Sequence, residues 1–122
     1  MHELVLSGIR VLVVEDEAVI ALDLKAILEE AGATVIGPAR TLLAATELAA
    51  SGGLAAAILD VQLGDGTVFP VARLLADLGI PFLFHTGRAD AGDLARFAAD
   101  VIVKPATSLK IVAGVARLTR RS

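Results

Sequence analysis

The sequence predicts an α/β domain in which helices cover both faces of a parallel sheet. The chain has 122 residues, the size of one compact domain. Hydrophobic residues make up 56% of it and aromatic residues only 3%, so Val, Leu, Ile and Ala must build the core, as they do in buried parallel sheets. Short apolar runs also alternate with helical patterns along the whole chain, which is typical of repeated strand–helix units.

The first strand–helix unit is the clearest. The β-branched run at residues 9–14 stops abruptly at three consecutive carboxylates, Glu15 to Glu17, which indicates a buried strand that opens into an acidic loop. From Ala18 the apolar residues follow helical spacing, and Gly32 stands where a helix C-terminal cap is expected.

Four further units follow in the same order. The predicted strands cover residues 34–37, 56–59, 81–85 and 100–103, and the predicted helices cover residues 42–50, 67–78, 90–98 and 108–118. The helix at 90–98 is the weakest, because it is short and contains Gly92. Since no repeat, linker or low-complexity tract interrupts the pattern, we expect one domain.

Composition argues against several classes of function. The net charge is -3, and no Lys and Arg cluster is interleaved with aromatic residues, so we expect no nucleic-acid binding. The chain contains no cysteine, which excludes disulfides and thiol chemistry. No apolar stretch reaches the roughly 18 residues of a membrane span, and no basic leader opens the chain. We therefore expect a cytoplasmic protein without a membrane partner.

Polar residues follow the predicted strands at the edge where ligands of parallel sheets bind. They are Glu15, Asp16, Asp60, Thr86 and Lys104. Each alone could be a turn or surface residue. Three carboxylates, a hydroxyl and an ammonium at successive strand ends are hard to explain by chance, so we predict that they converge on one site.

The chemistry of this set favours a hard cation and a phosphoryl group. Carboxylate oxygens without Cys suit Mg²⁺, which takes one or two protein carboxylates together with waters and phosphate oxygens. An Asp carboxylate can attack phosphorus when a metal spreads the charge on the transferring group, giving an aspartyl-phosphate. Lys104 would supply a second cation, and Thr86 a hydroxyl for the phosphoryl oxygens.

The chain resembles the receiver domains of response regulators in two-component systems over essentially its whole length. The resemblance rests on the segments at 11–17, 58–60, 85–87 and 103–105, which read Val-Leu-Val-Val-Glu-Asp-Glu, Ile-Leu-Asp, His-Thr-Gly and Val-Lys-Pro. It implies a flavodoxin-like (βα)5 three-layer fold with strand order 2-1-3-4-5. It also implies a receiver domain over residues 1–122 with no output domain.

The resemblance assigns the metal and phosphoryl roles. Asp60 would be the phosphoacceptor, and Asp16, Asp60 and the backbone carbonyl of Gln62 would be direct Mg²⁺ ligands. Glu15 would act through a metal-bound water. The protein would then be a phosphoacceptor switch whose only chemistry is its own phosphorylation and dephosphorylation.

The resemblance also assigns the residues that respond to phosphorylation. Thr86 would swing toward the phosphoryl group, Lys104 would pair with it, and Pro105 would follow a cis peptide bond. Receivers usually carry Tyr or Phe three residues before the Lys, whereas this chain has Val101. A rotating aromatic side chain is therefore excluded at that position.

Two segments resemble a subgroup of single-domain receivers whose fourth strand ends in Phe-Ala-Thr-Gly. These segments are residues 63–70 and 82–87, with His85 in place of Ala. The subgroup is associated with HWE-type histidine kinases. The implied partners are such a sensor kinase or a phosphotransfer protein, and a downstream target protein. The chain would signal by docking or act as a phosphate sink.

Two other functions compete with this interpretation. Hydrolases of the haloacid-dehalogenase type also phosphorylate an Asp at a strand end, but they use a second Asp two residues later as general acid, where this chain has Gln62. Pseudo-receivers keep the fold without phosphorylation, but they usually lose acidic residues that are intact here.

The sequence also supports three local predictions. His85 should point away from Thr86, because side chains alternate along a strand. Val19, Leu22 and Ala26 form a stripe that is either core or a docking surface for the kinase. The segment 88–99 has few apolar anchors, so we expect it to become ordered when the phosphoryl group binds.

Overall fold

Five strands form one parallel sheet. In the computed structural model, which describes residues 4–87 and 94–120, they are β1 (Arg10–Val14), β2 (Thr34–Ala39), β3 (Ala56–Leu59), β6 (Phe82–Thr86) and β7 (Val101–Val103). Their order is β2-β1-β3-β6-β7, and every neighbouring pair is parallel. A separate antiparallel hairpin contains β4 (Gln62–Leu63) and β5 (Gly66–Thr67). The predicted fold class and strand order are confirmed.

Helices cover both faces of the sheet. They are α1 (Ala18–Glu30), α2 (Leu42–Ala50), α3 (Phe69–Asp77) and α4 (Ser108–Thr119). Because side chains alternate along a strand, Val11 and Val13 pack with α1 and α4, whereas Leu12 and Val14 pack with α2 and α3. All four are fully buried, so β1 lies at the centre of the domain.

The helix ends follow the expected capping chemistry. Gly32 has φ of 101°, the left-handed region that favours glycine after a helix, as its position predicted. The side chains of Thr41 and Thr107 accept hydrogen bonds from Ala44 N and Lys110 N, which caps α2 and α4 at their N-termini. These caps explain why both helices begin where the sequence predicted.

Two element boundaries differ from prediction by two residues, and several others differ by one. β2 continues beyond residue 37 to Ala39, because Glu15 N donates a hydrogen bond to Ala39 O at 2.9 Å and extends the pairing with the chain after β1. The third helix begins at Phe69 and not at Thr67, since Thr67 pairs with Gln62 in the hairpin. Both differences arise from tertiary contacts next to the acidic loop.

Residues 90–93 of the predicted helix at 90–98 lie outside the described residues. What the structure describes of it is a short 3₁₀ helix at Ala95–Phe97. The predicted ordering of segment 88–99 also depends on residues 88–93, which lie outside the described part, so it stays a prediction. No helix in the described ranges is both long and apolar enough to span a bilayer.

Candidate metal centre

The acidic loop after β1 meets the end of β3 at the carboxyl edge of the sheet. Val14 pairs with Leu59, and Asp60 N donates a hydrogen bond to Val14 O at 2.9 Å, so Glu15 and Asp60 emerge side by side. One carboxylate oxygen from each of Glu15, Asp16 and Asp60 lies within 4.8 Å of the others. Glu15 is fully buried and Asp60 is 6% exposed. The predicted convergence of the three carboxylates is therefore observed.

Lys104 brings a positive charge to these carboxylates from the neighbouring strand. Its Nζ lies 2.7 Å from Glu15 Oε1 and 3.4 Å from Asp60 Oδ2. Its backbone N donates to Thr86 O at 2.8 Å, which places the end of β6 beside the start of the loop after β7. The peptide bond from Lys104 to Pro105 is cis, as the family resemblance implied.

Burial and charge repulsion both act on Asp60. Burial raises the pKa of Asp60, and a hydrogen bond and charge repulsion from Glu15 raise it further, while Lys104 opposes the change; the result is about 7. Burial by itself would lower the pKa of Lys104, but its contacts with Glu15 and Asp60 outweigh burial and raise it. Three carboxylates against one ammonium leave an excess of negative charge that a divalent cation would neutralise.

The remaining predicted site residues are Thr86 and Gln62. Thr86 ends β6 and is 4% exposed, so it is buried at the same edge of the sheet as Asp60. Gln62 follows Asp60 by two residues and opens β4 in the hairpin. The donor set of carboxylate and carbonyl oxygens at this edge fits Mg²⁺.

Two polar contacts around the site are not indicated by the sequence pattern. Arg40 donates from Nε and Nη2 to Asp16 O at 3.2 and 3.0 Å. Asp65 in the hairpin turn accepts a hydrogen bond from Leu42 N, with its two oxygens at 3.1 and 3.3 Å. A bond to a backbone carbonyl or amide leaves no residue pattern in a sequence, so no signal identified either contact.

His85 lies on the opposite face of β6 from Thr86, as strand alternation predicted. It lines a cavity of about 150 Å³ between α1 and α4, with Asp23 and Lys104 among the other lining residues. It is 5% exposed, and its buried Nδ1 makes no hydrogen bond within the described part of the chain. Burial lowers the pKa of His85, the charge of Lys104 lowers it further, and Glu15 opposes them.

An aromatic cluster lies on the face of the sheet opposite His85, which is the face that Thr86 shares with Phe82 and Phe84. The stacked pair of Phe69 and Phe97 has ring centroids 5.5 Å apart, and Phe84 meets both rings edge to face at 6.2 and 5.8 Å. Phe82 completes the cluster at 5.5 Å from Phe84. Phe97 thus anchors residues 95–97 to the strand that ends in Thr86. Val101, where receivers usually have an aromatic residue, is 37% exposed on β7.

The stripe on α1 is solvent-exposed. Val19 is 80% exposed and Leu22 is 65% exposed, and Ala26 is also exposed. The alternative that these residues belong to the core is therefore wrong. Two large apolar side chains on the surface beside the acidic loop are compatible with a docking surface.

Comparison with known proteins agrees with the fold. No protein-family model matches the chain. It is 40% identical over 79 residues to the phyllosphere-induced regulator PhyR of Methylorubrum extorquens; the match covers 62% of this chain and 30% of that relative. The chain thus spans less than a third of the relative's length.

Solved structures agree over more of the chain. The non-phosphorylated HemR receiver domain from Leptospira biflexa matches with a TM-score of 0.84 and 28% identity, covering 94% of this chain and 97% of that one. The response regulator TrrA from Thermotoga maritima, solved in complex with Mg²⁺-BeF, matches with a TM-score of 0.79 and 25% identity, covering 90% and 98%. The chain has the flavodoxin-like receiver fold, and these structural neighbours are receiver or response regulator proteins.

Proposed function

We propose that residues 1–122 form a receiver domain that accepts a phosphoryl group on Asp60 in a Mg²⁺-dependent reaction and signals through a partner protein. The observation that carries the proposal is the position of Asp60, which is almost fully buried beside two other carboxylates, with its Oδ2 3.4 Å from Lys104 Nζ. Similarity to receiver domains, one of them solved with Mg²⁺-BeF, supports it.

Four residues would hold the metal. Asp16, Asp60 and the backbone carbonyl of Gln62 would be direct ligands, and Glu15 would act through a metal-bound water. Bound Mg²⁺ would supply positive charge to the oxygens of the transferring phosphoryl group. The close carboxylates at 4.8 Å or less support this assignment, because their repulsion is relieved by a divalent cation.

The chain's own residues would divide the remaining work. An Asp60 carboxylate oxygen attacks phosphorus, a P–O bond forms, and the bond from phosphorus to the donor nitrogen of a phosphohistidine breaks. Lys104 would pair with a phosphoryl oxygen, and the Thr86 hydroxyl would donate to another. Because Lys104 already contacts Asp60, it needs little movement to reach the product.

Phosphodonor labelling tests the function directly. Metal-free protein is incubated with acetyl phosphate, with and without Mg²⁺, and analysed by intact mass. A receiver gains one phosphoryl group only with Mg²⁺, a hydrolase turns the donor over without accumulating an adduct, and a pseudo-receiver does neither. Asp60→Asn should remove the adduct, whereas Asp77→Asn, at an exposed position on α3, should retain it. A phosphoryl adduct at another residue in Asp60→Asn would contradict the assignment.

We propose further that the phosphoryl donor is a histidine kinase, of the HWE type that the subgroup resemblance implies, or a phosphotransfer protein. The exposed side chains of Val19 and Leu22 beside the acidic loop support a docking surface for it on α1. Leu22→Glu should slow transfer from the kinase at least tenfold and leave labelling by acetyl phosphate unchanged. Leu43→Glu, on the similarly exposed surface of α2, is the matched control. Equal loss in both variants would rule out α1 as the docking surface.

A further inference from the structure

The start of α2 touches both loops that would carry direct metal ligands. On one side Arg40 donates two hydrogen bonds to the backbone carbonyl of Asp16, in the loop after β1. On the other side Leu42 N donates to the carboxylate of Asp65, in the hairpin that begins at Gln62. Residues 40–42 therefore connect two segments that are far apart in sequence and adjacent at the site.

Close packing accompanies these hydrogen bonds. A Cβ added to Gly66 would lie 3.3 Å from Leu42 Cδ1, so the hairpin backbone lies directly against the start of α2. A Cβ added to Gly64 would lie 3.9 Å from Asp16 Oδ2, which places the same turn next to the Asp16 carboxylate. The loop, the hairpin and the helix start thus form one contiguous unit beside the metal centre.

We propose that Arg40 and Asp65 are positioning residues for the metal centre. Arg40 fixes the backbone at Asp16, and Asp65 fixes the hairpin that presents the Gln62 carbonyl, so both direct-ligand loops are held in place before the cation binds. The inference rests on the proposed Mg²⁺ site and deepens it. Outer contacts of this kind orient metal ligands, and their loss commonly weakens metal binding about 10- to 100-fold.

The direction of the change in Mg²⁺ affinity distinguishes a positioning role of Arg40 from a purely electrostatic one. Removing the positive charge of Arg40 from the surroundings of a cation site would strengthen Mg²⁺ binding if charge alone mattered. Positioning predicts the opposite, because the Asp16 backbone loses both donors. At Asp65, Asn can still accept a hydrogen bond from Leu42 N through its amide oxygen, whereas Ala cannot.

The experiment measures the dissociation constant of Mg²⁺ alone by calorimetric titration and the melting temperature of each metal-free variant. We expect Arg40→Ala and Asp65→Ala each to weaken Mg²⁺ binding about tenfold. Arg40→Lys keeps the charge but not the two-nitrogen contact and should fall between wild type and Arg40→Ala. Asp65→Asn should stay within about threefold of wild type.

Arg10→Ala is the matched control. Arg10 is also an exposed arginine that donates from Nε to a backbone carbonyl, Gly53 O at 3.1 Å, but it stands at the opposite end of β1 from the acidic loop. We expect its Mg²⁺ affinity to equal that of the wild type. A similar loss of affinity in Arg10→Ala would overturn the inference, because it would attribute the effect to general destabilisation.

Asp16→Asn distinguishes failure of this inference from failure of the proposed function. If Asp16→Asn loses Mg²⁺ affinity while Arg40→Ala and Asp65→Ala keep it, the positioning role is wrong and the metal site stands. If the wild type binds no Mg²⁺, or Asp16→Asn binds it as tightly as the wild type, the proposed metal site itself is wrong. A lower melting temperature in Arg40→Ala with unchanged affinity would show a purely structural role.

Discussion

The carboxyl edge of the sheet and the apolar core next to it are formed by the same strands, but they have opposite effects on the stability of the fold. The residues of β1 from Val11 to Val14 are fully buried and apolar, and the next residue, Glu15, is equally buried but carries a carboxyl group. In β3 the buried pair of Ile58 and Leu59 precedes Asp60 in the same way. Apolar burial of the strands must therefore offset the cost of holding carboxyl groups together at their ends.

This comparison predicts that changes in the core lower stability without altering the chemistry of the edge, whereas changes at the edge raise stability and remove the chemistry. Sites of ligand binding are often destabilising to the fold that holds them, and their removal often stabilises the protein.

The largest effect on stability is expected in the aromatic cluster. Phe84 is fully buried and meets the rings of Phe69, Phe82 and Phe97. Phe84→Ala should lower the free energy of unfolding by about 3 to 5 kcal/mol, because it removes a large buried ring and leaves a cavity. Urea denaturation at pH 7 measures this loss, and phosphoryl labelling in the cold should persist. A loss below about 1 kcal/mol would mean that the cluster is not part of the stabilising core.

The second effect has the opposite sign and concerns Asp60. Its pKa is raised from 3.8 to about 7 in the folded protein, mainly by burial, so between these values the folded state binds more protons than the unfolded state. The stability contributed by this group is present below pH 3.8 and is lost as pH rises toward 7. In metal-free protein at pH 8, Asp60→Asn should therefore raise the free energy of unfolding by about 2 to 4 kcal/mol.

Control measurements sharpen this prediction. Asp77→Asn, at an exposed position, should change stability little. The difference between Asp60→Asn and wild type should shrink at pH 4, where Asp60 is protonated in the folded protein. It should also shrink when Mg²⁺ is added, because a cation that binds the folded wild type stabilises it by mass action. A stabilisation that is the same at pH 4 and pH 8 would exclude ionisation of Asp60 as its cause.

The site residues that the sequence could predict are those that follow strands. Glu15, Asp60, Thr86 and Lys104 were predicted to converge because parallel strands end at one edge, and hydrophobic periodicity marks where each strand ends. The alternation of side chains also placed His85 on the correct face. These predictions depend only on the local spacing of apolar and polar residues.

What the sequence could not predict depends on contacts between distant segments. Arg40 reaches a backbone carbonyl 24 residues away, and such a contact sets no requirement on the identity of Asp16. The hairpin of β4 and β5 has strands of two residues each, which are too short to show a period, so the sequence pattern does not reveal it. The cavity beside His85 depends on how α1 and α4 pack, which residue spacing alone does not determine.

The third prediction separates two carboxylates at the edge by their distance from the cation. If Asp16 is a direct ligand and Glu15 acts through water, Asp16→Asn should weaken Mg²⁺ binding at least tenfold more than Glu15→Gln, a difference of about 1.4 kcal/mol. Calorimetric titration with Mg²⁺ measures both. Equal losses in the two variants would contradict the division of roles between Asp16 and Glu15.

The smallest effect is expected from His85, which belongs to the core side of the comparison although it carries a titratable ring. Burial lowers its pKa below the usual 6.5, so as pH falls below 6.5 the unfolded state binds more protons than the folded state and stability decreases. One proton limits this slope to about 1.4 kcal/mol per pH unit.

In the wild type Asp60 acts in the opposite direction over the same pH range, since its protonation stabilises the folded state, and the two effects partly cancel. The measurement should therefore use Asp60→Asn, in which only His85 of the two still titrates. There, the unfolding free energy should decrease as pH falls from 6.5 to 5, and adding His85→Leu should flatten the decrease, with Asp23 and Lys104 unchanged around the cavity. An identical slope with and without His85 would show that the buried ring does not contribute to the acid sensitivity of the fold.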